Sequence, residues 1–217
     1  MAGPQRVSPG GPVAKKSAVL DASVLVQEPV RSLLLWIATA GGFEPYWTER
    51  ILDEVGRNLL AESFVTAEQW ARLHAALREH FAESFIDQVR TDEHEADMPN
   101  QEKDRHVLAA AVASDVELVV TNNLKHFPAA DLATVGKRSC SGDDFLCELL
   151  DAYPNIVREA LREQVKAMRN PWQWTESELL GRLAGLGEGD ALAPQFAQAA
   201  AARYGITLGR PPPKPQR

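Results

Sequence analysis

Short apolar runs alternate with longer amphipathic ones along the first two thirds of the chain, and only amphipathic ones follow. Residues 17–26, "SAVLDASVLV", open on an apolar run cut by one acid, Asp21, which predicts a strand and then a turn. The dense apolar stretch 30–40 predicts a helix, Gly41 and Gly42 stop it, and 43–47 read as a short aromatic strand. Thr48 is placed to cap a helix in which Ile51, Leu52, Val55 and Leu59 share a stripe, and Thr66 opens a second amphipathic helix. Residues 91–100 are polar and contain a proline, so they predict a loop. A helix over 101–115 follows, with Val107, Leu108, Ala111 and Val112 apolar. Next come a strand over 116–123 with a polar end, a short strand in "ATVGKR" (133–138), and a helix opened by Ser141.

This alternation predicts an α/β fold, a parallel sheet covered by helices on both faces. From Pro154 onward three helical segments follow with no strand between them, which predicts a C-terminal helical extension. The expected organisation is a disordered lead-in over 1–16, a main domain over 17–153, a helical appendage over 154–207 and an extended Pro-rich tail over 208–217.

Composition narrows the function classes. The chain has 217 residues, 45% of them hydrophobic, enough for a sizeable core. Its formal net charge of -7 weighs against binding nucleic acid through bulk charge, but not against an acidic site that recruits cations. Cys140 and Cys147 form no zinc spacing and no disulfide framework, so a reducing cytoplasmic setting is expected. No apolar run approaches the roughly 18 residues of a membrane span, and "MAGPQRVSPGGPV" has no apolar segment of a secretory signal.

The candidate chemistry lies in three acids. Asp21 follows the first strand, where an unpaired carboxylate is costly unless it caps a turn or meets a cation. Asp104 precedes Val107 by three residues and Leu108 by four, which places it on the inward stripe of its helix. Glu54 lies beside Val55 on the flank of its helix, with Asp53 further toward solvent. Three carboxylates converging on one point need a counter-charge, and oxygen-only ligands favour Mg²⁺ or Mn²⁺. Each acid also has a plainer reading as a turn residue or a solvated helix face. Ser23 and Thr121 are polar at strand ends, suited to a ligand or to closing the backbone. Arg105 suits an RNA phosphate or an ion pair, and His106 a structural role. Lys125 and His126 follow the second strand end, and Trp172 and Trp174 suit base stacking or packing of the appendage.

In order and spacing, "VLDASVLV", "ILDEVGRNL", "MPNQEKDRHVLAAAV" and "LVVTNNLKHFP" resemble a bacterial PIN-domain protein of the kind that includes VapC-type toxins. The resemblance spans about residues 17–150. It implies an α/β/α sandwich with a central parallel sheet and a metal-dependent endoribonuclease, the toxin of a toxin–antitoxin pair. It implies Asp21 and Asp104 as direct ligands of Mg²⁺ or Mn²⁺, and Glu54 as a ligand through water or a residue that helps orient the attacking water. It implies a small antitoxin partner and a homodimer face, with the apolar helices of 30–80 forming one or the other. Asn123 departs from the pattern: many relatives carry Asp there, and where some place an acid a little later this chain has His126. A neutral amide offers only its carbonyl oxygen, so one tight metal is expected and Asn123 is a weak ligand. The rival reading is a PIN-like module that binds RNA or protein without catalysis.

Overall fold

In the computed structural model, residues 16–168, 174–187 and 189–212 are described. The sheet has four strands, β1 (Ser17–Leu20), β2 (Glu44–Tyr46), β3 (Leu118–Val120) and β4 (Arg138–Cys140), in the order β2-β1-β3-β4. All three pairings are parallel, as the alternation predicts, with Leu20 opposite Val120 and Val120 opposite Cys140. β1 and β3 are central and buried on both faces, which is why they read as unbroken apolar runs. From β1 the chain moves to one side for β2, then crosses back to the other side for β3. That reversal leaves a crevice beyond the carboxyl ends of β1 and β3.

Between β1 and β2 lie α1 (Ala22–Leu25) and α2 (Val30–Thr39). Between β2 and β3 lie α3 (Glu49–Ala61), α4 (Ala67–His80), α5 (Gln88–Glu95) and α6 (Arg105–Ala113). Thr48 caps α3 through Ile51 N, and Thr66 with Gln69 forms a capping box on α4. The predicted stripe of Ile51, Leu52, Val55 and Leu59 is buried. Gly56 lets α4 approach α3, since a β-carbon there would stand 2.6 Å from the Trp70 ring.

Two sequence expectations are corrected. Part of the 91–100 loop is helical: α5 is started by Asp87, which accepts from Val89 N, and packs along α6. "ATVGKR" is not a strand. It holds the end of α7 (Ala129–Thr134) and a turn at Gly136, and β4 begins only at Arg138.

Ser141 opens α8 (Gly142–Ala152) in a capping box with Asp144. The C-terminal helices are α9 (Pro154–Ala167), α10 (Glu176–Leu183) and α11 (Pro194–Tyr204). They share one continuous core with the sheet domain. α9 packs on α2, where buried Gln164 donates to Pro29 O at 3.0 Å, and α11 packs on α8. The Asp143 carboxylate of α8 accepts from Gln195 N (3.0 Å) and Phe196 N (2.8 Å), so it satisfies the first turn of α11. Trp174 is half-buried against this core, whereas Trp172, the lead-in before Lys16 and the end of the tail lie outside the described residues. The two thiols are free; burial first, then neighbouring carboxylates, push Cys140 up to about 12 and Cys147 to about 11, so neither is a nucleophile at neutral pH. Among the described residues no helix is long and apolar enough to cross a membrane.

Candidate active site

The register of β1 on β3 brings Asp21 and Thr121, the residues after each strand, side by side at the crevice. Asp21 N donates to Val120 O at 3.0 Å, continuing the ladder. Asp21 is 3% exposed and occupies the cap position of α1, yet its carboxylate caps nothing. Instead Oδ2 accepts from Ser23 Oγ (2.5 Å) and Thr121 Oγ1 (2.7 Å). Thr121 is fully buried, and its hydroxyl also accepts from Asn123 N at 3.1 Å, so it faces Asp21 inside the protein. Ser23 likewise accepts from Asn122 N at 2.9 Å. Asn122 ties the crevice together, donating to Ser23 O (3.2 Å) and accepting from Gly142 N (3.2 Å) at the start of α8.

Glu54 projects from α3 toward the same region. Burial first, then the negative charge of Asp21, raises its carboxyl above the usual range, and Asp104 adds to the effect. His106, 1% exposed on its side chain, presents Nε2 to Glu54 Oε1 at 3.3 Å. Its Nδ1 lies 3.1 Å from Lys103 O, and only a protonated Nδ1 suits a carbonyl. Burial, then Arg50, lowers the pKa of this ring, which keeps it neutral and leaves a lone pair on Nε2 facing Glu54. Neutral Nε2 and an ionised carboxylate oxygen are both acceptors, and Nε2 makes no hydrogen bond, so the pair can close only when Glu54 takes up a proton.

Asp104 lies elsewhere than the helical phase predicts. It ends a 3₁₀ turn (Glu102–Asp104) and occupies the cap position of α6 rather than its first or second turn. It too makes no cap hydrogen bond. Its Oδ2 is buried without a hydrogen-bond partner, 3.0 Å from His126 Nδ1, which is equally unpartnered. The separation suits a hydrogen bond but the geometry does not. Arg105 forms no ion pair among the described residues; its Nε donates weakly to Asn100 O at 3.4 Å. Asn123 is half-buried at the mouth, and its side chain makes no hydrogen bond among the described residues.

The PIN domain family matches residues 17–125, half of the chain, and a family described as the VapC50 C-terminal domain matches residues 142–202. The chain belongs to the PIN-domain family. It is 42% identical over 117 residues to a protein named "Putative ribonuclease VapC50" from Mycobacterium tuberculosis (strain ATCC 25618 / H37Rv). That alignment covers 54% of this chain and 63% of the relative, so the chain spans under two thirds of that protein's length. No solved structure matches.

In this PIN domain Asp21 follows β1 at the start of α1, Asp104 stands at the start of α6, and both carboxylates act electrostatically on Glu54. No three His, Cys, Asp or Glu side chains among the described residues are drawn together as a ready-made metal cage. Mg²⁺ and Mn²⁺ do not need one: such ions bind through one or two carboxylates and keep several waters. The buried, unpartnered Asp104 Oδ2 and the Asp21 carboxylate, held from one side by two hydroxyls, fit a hard cation in that mode. No signal in the sequence points to the contacts of His106 and His126 with the acids. Both residues were visible, but the contacts are between separate elements.

Proposed function

We propose that the chain is a Mg²⁺- or Mn²⁺-dependent endoribonuclease of the VapC type, hydrolysing RNA phosphodiester bonds as the toxin of a toxin–antitoxin pair in the cytoplasm. One observation carries the reading. Asp21 and Asp104 both stand at helix-cap positions, neither carboxylate caps its helix, and both act electrostatically on Glu54. Ordinary cap residues would bond the helix start. The relative's printed name supports the choice of ribonuclease.

In this reading Asp21 and Asp104 hold the ion, Asn123 adds a carbonyl oxygen, and Ser23 and Thr121 fix the Asp21 rotamer. The bound ion supplies charge neutralisation at a phosphate and a water of lowered pKa. Glu54, with His106 Nε2 behind it, accepts a proton from the attacking water at Oε1. RNA is held by a local basic rim despite the negative net charge. Arg50 and Arg57 stand one turn either side of Glu54 on α3, and Lys103 and Lys125 flank Asp104 and His126 in their turns. A groove of about 850 Å³ between α2 and α4, lined by Leu35, Trp36, Leu73, Leu77 and Phe81, is the proposed seat of the antitoxin.

The test is growth and total RNA in a bacterial host expressing wild type or Asp21→Ala, with purified protein assayed on mixed RNA with Mn²⁺ and with EDTA. Cleavage by wild type alone, abolished by EDTA, is the expected result. Equal cleavage by both forms refutes it. A melting temperature raised by Mn²⁺ with no RNA cleavage would favour the non-catalytic binding module, to which the neutral Asn123 also points.

A further inference from the structure

His126 sits on a 3₁₀ turn (Leu124–His126) that leaves β3 through Asn123, folds back by His126 N donating to Asn123 O at 2.8 Å, and is anchored by buried Phe127. The turn lays the imidazole against Asp104, with Nδ1 and Oδ2 3.0 Å apart and both buried without hydrogen-bond partners. Adjacent unpartnered polar atoms are unfavourable unless a third body lies between them. The spacing fits a metal ion bonded to both. Two neighbouring ligands of an octahedral ion, bonded at about 2.1 Å, stand √2 times that distance apart, about 3.0 Å. A tetrahedral ion with bonds of about 2.0–2.1 Å would set them about 3.3 Å apart.

We propose that His126 Nδ1 is a protein ligand of the cation held by Asp104, so that the site is a mixed nitrogen–oxygen site that favours Mn²⁺ over Mg²⁺. The ring bonds in its neutral form with the proton on Nε2. Imidazole nitrogen is a poor exchange for water on Mg²⁺ and a good one on a transition metal. His126 joins Asp21 and Asp104 of the reading above and waters complete the shell; the three are not drawn together as a ready-made cage among the described residues. The inference rests on the metal-dependent reading above.

The experiment is calorimetric titration of the full chain with Mn²⁺ and Mg²⁺ separately, joined to pulsed electron-spin-echo spectroscopy of bound Mn²⁺. Wild type is expected to show ¹⁴N modulation from a directly bonded imidazole, absent in His126→Gln and His126→Asp and present in His106→Gln. His126→Gln should bind Mn²⁺ at least about tenfold more weakly, with Mg²⁺ changed less than about twofold. His126→Asp, an all-oxygen site, should raise Mg²⁺ affinity and reverse the preference. No ¹⁴N modulation in wild type overturns the proposal whether or not a variant folds. So does Mn²⁺ binding to His126→Gln as tight as to wild type, the result expected if His126 merely fills space beside Asp104. Loss of the modulation only in His106→Gln would move the nitrogen to Glu54's partner and refute it equally. Failure of the underlying reading looks different: wild type would bind neither ion, and Asp21→Asn would change nothing.

Discussion

Replacing Thr121 by valine removes one hydroxyl and almost no volume at the centre of the crevice. Thr121 is fully buried, donates to Asp21 Oδ2 at 2.7 Å and accepts from Asn123 N at 3.1 Å. A hydrogen bond to a charged group contributes about 1.5–3 kcal/mol, and a buried donor left without a partner costs about 1–3 kcal/mol. Asn123 is half-buried, so water recovers part of the second amount, leaving a net loss of about 2–3 kcal/mol. For a chain of 217 residues this lowers the melting temperature by about 4–12 °C. Thr121→Ser keeps the hydroxyl and loses one buried methyl, about 1 kcal/mol and so about 2–4 °C. The two variants also separate on metal. Valine leaves Asp21 oriented by Ser23 alone, and the loss of one orienting partner lowers Mn²⁺ affinity about tenfold, whereas serine leaves it within about twofold. Thermal melting in EDTA followed by calorimetric titration reads both effects. A valine variant melting within about 1 °C of wild type, or serine and valine weakening Mn²⁺ alike, would refute the assignment of Thr121 as the residue that positions Asp21.

Glu54→Gln should raise the apo melting temperature at pH 7 by about 1–3 °C and leave it unchanged near pH 4. The sign follows from the raised carboxyl: the folded state holds the Glu54 proton more tightly than the unfolded one, so that stability is full below the unfolded pKa and lost as pH rises through the folded one. A less stable variant at pH 7 would contradict it. Asp143→Ala, which leaves Gln195 N and Phe196 N at the start of α11 without an acceptor, should cost about 1–2 kcal/mol, or about 2–8 °C, with Mn²⁺ affinity unchanged in titration. Arg57→Ala should weaken RNA binding in EDTA and reduce the slope of log affinity against log salt by about 0.7, one single-strand phosphate contact. An unchanged slope in a filter-binding series removes Arg57 from the rim.

What the sequence made legible is what short-range pattern can carry. Asp21 stood out because a strand buried on both faces leaves an unbroken apolar run, and one acid interrupts it at the ladder's end. Thr48, Thr66 and Ser141 were readable as caps because each acts within three residues. α5 was not readable: of its residues only Thr91 is buried, and it is held by the Asp87 cap and by packing along α6, a tertiary effect. Asp104 shows a subtler limit. Helical phase pointed it inward correctly, but a 3₁₀ turn moved it from the helix to the cap, and only there does its Oδ2 meet His126. That contact, like the one between His106 and Glu54, joins elements far apart in sequence and leaves no periodic trace.

The site therefore depends on pairing register more than on any one motif. Leu20 stands opposite Val120, and the next residue on each strand is Asp21 and Thr121. Sliding β1 against β3 by one residue would turn every β1 side chain to the other face and take the Asp21 carboxylate away from Thr121, leaving the hydroxyl without its acceptor. The apolar run of β1 that fixes the register for packing thus also fixes which hydroxyls reach the carboxylate, and a change that weakens the strand pairing should reach metal binding through the Asp21 rotamer before it reaches any ligand directly.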